Sequence, residues 1–171
     1  MWRHLPEIVS NPVVATDLLS ADSVKQGPVG DCAFLSSLVA LANCEEQTGK
    51  PILTKSIYPK ERPDSLKPVV RPEGKYVIKL YFNGEARKVV LDDTVPTLTK
   101  RLQKKLTATS APLSNQLWVT LFEKAYAKTM GGYASIDGSH APDNLYLLSG
   151  WISEIVSFER LKLTGKTVDQ L

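Results

Sequence analysis

The run Gln26-Gly27-Pro28-Val29-Gly30-Asp31-Cys32 leads straight into Ala33-Phe34-Leu35-Ser36-Ser37-Leu38-Val39-Ala40, so one cysteine stands where a glycine-rich turn gives way to a helical pattern. A thiol in that place is a nucleophile. The first turn of a helix offers N–H groups without intrahelical acceptors and a partial positive charge, and both stabilise a negatively charged sulfur. Two glycines and a proline let the backbone turn sharply and bring its N–H groups against a bound carbonyl. Gln26, six residues before Cys32, is placed to aim a side-chain amide at the same oxygen, and with the Cys32 N–H it would form an oxyanion hole for acyl transfer. For an arbitrary cysteine an inert, buried position on an apolar helix is the commoner case. The surrounding pattern reverses that balance.

This segment resembles the active-site stretch of calpains, the papain-like cysteine endopeptidases, whose helix begins with Gln, a Gly-rich turn and Gly-Asp-Cys. Three further stretches match in the same order. Residues 74–96 (GKYVIKLYFNGEARKVVLDDTVP) resemble the family's hairpin ending in Val-Asp-Asp-x-x-Pro, and residues 117–133 (LWVTLFEKAYAKTMGGY) its Trp-x-x-Leu-x-Glu-Lys-Ala-Tyr-Ala-Lys helix. Leu147-Leu148-Ser149-Gly150-Trp151 is close to the family's Leu/Phe-Thr/Ser-Gly-Gly segment. Their joint order, from about Val24 to Phe158, is far more specific than any one motif.

Length and charge agree with one ordinary domain: 171 residues suffice for a single buried core, and the net charge is only +3. Cys32 and Cys44 give neither a disulfide framework nor a metal cluster, and no stretch reads as a membrane helix or signal peptide, so a reducing, cytoplasmic compartment is expected. The basic residues are scattered except for Lys100-Arg101 with Lys104-Lys105, which read as a solvated face and give little support to nucleic-acid binding.

The elements needed to position the thiol are legible in outline. An irregular arm covers residues 1–23, interrupted by Pro6 and Pro12, and a helix over residues 32–43 runs through the core on Leu35, Leu38, Val39 and Ala42. A Pro- and charge-rich connection over residues 59–74 reads as an exposed loop. Tyr76, Ile78, Leu80 and Phe82 alternate in a strand over residues 75–82, and Asn83-Gly84 turns it into a second strand over residues 87–92. Leu117, Trp118, Leu121, Phe122 and Ala125 define an amphipathic helix with Glu123, Lys124 and Lys128 on its wet side, ended by Gly131-Gly132. A short helix opened by Pro142 and Asp143 leads to Ser149-Gly150, and a last strand is expected over residues 152–158. The resemblance implies an α+β domain like the papain left half, a central Cys-bearing helix with an antiparallel hairpin sheet and smaller helices. Residues 24–171 would then be the first catalytic subdomain only.

A papain-like mechanism needs a histidine to take the thiol proton and an asparagine to orient it. This chain has only His4, in the arm, and His140, in the loop Ser135-Ile136-Asp137-Gly138-Ser139-His140-Ala141, and both read as exposed bystanders. In calpains His and Asn belong to a second subdomain that the resemblance does not reach. Two readings follow. One is a piece of a longer calpain endopeptidase acting on protein substrates, with the base supplied downstream, and the ending Asp169-Gln170-Leu171, without a closing element, favours it. The other is an inactive half-domain serving as an interaction module or as a subunit completed in trans.

The resemblance also raises calcium, which the best-known calpains bind in this subdomain through acidic side chains at positions that fall here on Ser23 and Gln116. Neither is charged, which should weaken such a site sharply, although Asp22 stands one residue away; no cofactor is expected. Ala33 replaces the Trp that follows Cys in calcium-activated calpains, and together these departures resemble the branch without EF-hands, similar to PalB-type proteins. Asp92-Asp93 reads as structural, since adjacent strand residues face opposite ways, and Asp31 reads as a helix cap. Trp118 reads as core, Trp151 as a possible wall of the substrate groove, Cys44 as an inert small apolar residue, and Glu123-Lys124 as a solvated pair.

Overall fold

The computed structural model describes residues 2–15, 19–97, 108–110, 115–157 and 159, with 108–110 as backbone alone. The Lys100-Arg101 and Lys104-Lys105 cluster, Phe158 and the terminal Asp169-Gln170-Leu171 lie outside the described residues. Within them helices and small antiparallel sheets mix, an α+β architecture consistent with a calpain protease half-domain.

The alternation read over Lys75–Phe82 makes strand β4, and β5 is Glu85–Asp92, longer by two residues than the sequence pattern suggested. The turn explains the difference. Asn83 (φ 49°) and Gly84 (φ 83°) are both left-handed, as a two-residue hairpin turn requires, so pairing starts at once with Phe82 opposite Glu85 and runs to Lys75 opposite Asp92. Ile57–Tyr58 (β3) adds a third strand against β4. Tyr76, Ile78 and Leu80 point into the core.

Helix α2, Cys32–Thr48, runs more than a turn past the expected end. Phe34, Leu35, Leu38, Leu41 and Ala42 form its buried face, and Gly49 in the left-handed region closes it. What prolongs it is Glu45. This carboxylate, 2% exposed, accepts the N–H groups of Ile52 (2.7 Å), Leu53 (2.7 Å) and Thr54 (3.1 Å) and the Thr54 hydroxyl, tying the chain after the helix back onto it.

Helix α3, Trp118–Met130, also departs from its amphipathic reading, because residues 118–127 are all buried. Glu123 and Lys124 are inside and only Lys128 of the expected wet face reaches solvent. An interior lysine must replace its water. The Lys124 ammonium does so at the Asp92 carbonyl (2.9 Å), the Asp92 carboxylate (2.6 Å) and the Thr94 carbonyl. Burial pushes Asp92 up, but hydrogen bonds from Lys124 and Thr94 outweigh it and hold the carboxyl well below its ordinary range. Phe34 of α2 stacks on Tyr126 of α3 with ring centroids 4.2 Å apart.

The N-terminal arm is less irregular than its prolines suggest: Trp2–His4 (β1) pairs antiparallel with Thr94–Pro96 (β6), and a single turn, Leu5–Ile8 (α1), follows with Leu5 fully buried. His4 is exposed but not a bystander, since its Nδ1 lies 2.7 Å from the Asp93 carboxylate. Val24–Gln26 (β2) pairs with Ala108–Ser110 (β7), and α4 is Ala141–Ser149, capped by Gly150. The strand expected over residues 152–158 is not formed over 152–157, where no strand among the described residues offers a ladder; Ile152 and Ile155 are exposed instead.

Two outcomes test these contacts. Glu45→Ala strands buried N–H donors and should lower stability by about 3 kcal/mol or more, Glu45→Gln by less, measured by urea unfolding. The hydrogen bond and charge of Asp93 raise His4 above its ordinary 6.5, so its contact is complete below that value and is lost as pH rises through the raised one. His4→Gln should therefore speed amide exchange in β1 at about pH 6 and leave it unchanged at about pH 9.

Candidate active site around Cys32

Cys32 is the first residue of α2, exposed and not in a disulfide. Its position follows from the local chain: β2 ends at Gln26, the Gly27-Pro28-Val29-Gly30 turn reverses direction, and Asp31 opens the helix by accepting the N–H groups of Phe34 (2.9 Å) and Leu35 (3.0 Å) on its carbonyl. The Cys32 and Ala33 N–H groups, at the head of the helix, have no intrahelical acceptor.

The Asp31 side chain does not cap them, against the sequence expectation. Its backbone (φ −94°, ψ 27°) is not in the extended region that folds a cap carboxylate over the first turn, and the side chain turns inward, wholly buried. Neither carboxylate oxygen has a hydrogen-bond partner among the described residues, and burial pushes the acid up to about 6. The helix end consequently keeps its free N–H groups facing outward.

Gln26 is exposed at the other end of the turn, and its Nε2 donates to the Val29 carbonyl at 2.9 Å. One amide proton is thereby used to hold the turn, and the second is available to a ligand. The structure thus brings Gln26 and Cys32 to the two ends of one reverse turn. It also brings in a group that the sequence reading missed. The Gly138 N–H donates to the Gly30 carbonyl at 3.0 Å, and the Asp137 carboxylate occupies the space a Gly30 side chain would need. Glycine before Asp-Cys signalled a close approach, but nothing local could name the partner.

His140 stands at the N-cap of α4 with no side-chain cap bond, next to Ala141, whose carbonyl takes a long contact from Ser37 of α2 (3.4 Å). Trp151 lies in a groove along α2. With Ala40, Leu41, Cys44, Leu145 and Ile152 it lines this space of about 390 Å³ on the far half of α2, beginning some 12 Å along the helix from the thiol. Cys44 is thus a half-exposed groove residue rather than a purely interior one. Trp118 is core, as expected.

Neither calcium position offers a carboxylate: the buried Ser23 hydroxyl already donates to the Ser20 carbonyl at 2.6 Å, and Gln116 is paired by its backbone with Val13. Among the described residues no three His, Cys, Asp or Glu side chains converge. That donor set does not fit a hard dication.

An exposed thiol on the first residue of a helix, beside N–H groups that have no intrahelical acceptor, has surroundings that favour the thiolate. The sequence matches the calpain family cysteine protease profile over residues 1–170, and the chain belongs to that family. It is 37% identical over 156 residues to Calpain-7 of Mus musculus, covering 91% of this chain and 18% of that protein. To the calpain-like protease palB of Emericella nidulans it is 34% identical over 181 residues, covering 98% of this chain and 20% of that protein, and to Calpain-5 of Mus musculus 30% over 155 residues. The chain thus spans about a fifth of the length of the curated relatives it matches.

The inward Asp31 gives a stability prediction. A carboxyl whose value is raised by folding favours the protonated form, so its contribution is best below its ordinary 3.8 and is lost as pH rises through about 6. Asp31→Asn should be more stable than the parent at pH 7 by about 2 kcal/mol, the gap closing toward pH 4. Parallel pH profiles of urea unfolding would overturn the assignment.

Proposed function

We propose that this chain is the nucleophile-bearing half of a calpain-type cysteine endopeptidase that cleaves protein substrates. The observation that carries this reading is Cys32 itself, exposed at the first position of α2 behind a turn held by Gln26, in a chain of the calpain family. The Cys32 thiolate attacks the peptide carbonyl, the Gln26 amide and the Cys32 N–H hold the oxyanion, the C–N bond breaks as the amine leaves with a proton from the histidine, and water hydrolyses the resulting thioester. The inward turn of Asp31 suits this, because a capping carboxylate would compete with the oxyanion for the same N–H groups.

The general base is assigned to a papain-like second subdomain, joined in cis or supplied in trans, that brings a histidine and an asparagine to Cys32. Trp151 and Ile152, 51% and 93% exposed in the groove along α2, and Ile155, 74% exposed just after it in sequence, support such a partner. Two free cysteines suit a reducing compartment, and the cytoplasm is the proposed location. No helix among the described residues is long and apolar enough to cross a membrane.

Casein cleavage is the test. The chain alone should be inactive, whereas the chain with a histidine-bearing second catalytic half of a calpain, fused or added, should cleave. Cys32→Ala should abolish that activity, and Gln26→Ala should lower kcat by about 100-fold with KM nearly unchanged. Activity that survives Cys32→Ala would sink the reading. A correctly folded complex that binds but never cleaves would favour the interaction module.

A further inference from the structure

The feature of the site that no part of the mechanism above uses is Asp137. Its Oδ1 lies 1.6 Å from the point a Cβ on Gly30 would occupy, so the carboxylate rests on the Gly30 backbone, and the neighbouring Gly138 N–H donates to the Gly30 carbonyl at 3.0 Å. The loop is therefore fixed to the turn that ends in the nucleophile. Unlike the sealed Asp31, Asp137 is exposed. Gly30 and Cys32 are joined by two peptide units, which places the carboxylate within roughly 13 Å of the sulfur, the reach of about four residues of extended peptide.

We infer that Asp137 is a specificity residue of the Cys32 site, favouring peptide substrates with a lysine or arginine within about four residues of the bond that Cys32 attacks. A negative charge fixed on the turn that ends in Cys32 attracts a cationic side chain of a peptide bound there and repels an acidic one. Two unit charges within that reach, about 8 to 13 Å apart in water, differ in energy enough to change rates roughly two-fold for attraction against neutrality, and roughly four-fold for Lys against Glu. Salt should erode the effect. This inference rests on Cys32 as the accessible nucleophile of the proposed function, but not on a general base.

The test needs no complete enzyme. Iodoacetyl tripeptide amides carrying Lys, Gln or Glu at the third residue alkylate a thiolate directly, the C–S bond forming as iodide leaves, and rates are measured at low salt on the chain with Cys44→Ala, with Cys32→Ala as blank. The Lys peptide should react about four times faster than the Glu peptide, and Asp137→Asn should remove at least half of that preference while leaving the Gln peptide's rate within two-fold. Asp64→Asn, which removes the same charge from the exposed loop at Arg62, should leave the preference intact. If Asp137→Asn loosens the turn, Asp137→Glu keeps the charge and should keep the preference. An unchanged Lys-to-Glu ratio in Asp137→Asn overturns the specificity role while the nucleophile stands. No reaction with any peptide at Cys32 overturns both.

Discussion

One helix has to satisfy two opposed demands: the body of α2 must be buried for the domain to have a core, and its first residue must be open for a thiol to act. The chain meets both by placing the boundary between interior and solvent at a single peptide unit, with Asp31 fully buried and Cys32 exposed. Everything else in the structure is arranged around that step. Glu45 fastens the far end of α2 to the chain that follows, α3 stacks Tyr126 on Phe34 behind the first turn, and the loop at Gly138 holds the glycine turn from outside.

Four ionisable groups that would ordinarily face water lie inside the described residues, Asp31, Glu45, Glu123 and Lys124, and three of them show how differently such burial is handled. Lys124 is fully served by the corner between β5 and β6, so its burial fixes the geometry of that corner. Glu45 is satisfied by backbone donors and acts as an anchor point. Asp31 has no such hydrogen bonds to its carboxylate and bears the cost of burial, directly beside the exposed Cys32. Destabilised residues are a recurrent feature of chemically active sites, where local stability is given up for a committed geometry.

Much of this was legible from residue types alone. Asn83-Gly84 between alternating runs could hardly be anything but a hairpin turn, the glycines at 131 and 150 sit where helices end, and Gln26 to Cys32 announced the turn and the thiol, whereas Gly49 as the end of α2 was not read. What periodicity could not supply was the surroundings of polar side chains. Glu123 and Lys124 look wet on any helical projection, and only the tertiary placement of α3 against β5 and β6 buries them. Asp31 has the residue type of a cap, but a backbone angle set by the preceding turn decides where its carboxylate goes. The last strand failed for the opposite reason: an extended segment needs a neighbour to pair with, and the described residues offer none to 152–157.

The bond from Gly138 to Gly30 links parts of the chain about a hundred residues apart. At ribosomal speeds of about 5–20 residues per second, residue 138 follows residue 30 by roughly 5 to 20 s. During that interval the nascent chain presents Cys32 on a turn that nothing has yet clamped. Oxidants and electrophiles in the cell meet the thiol before the site exists, so the fold's dependence on a late-arriving loop sets a window of chemical vulnerability at birth.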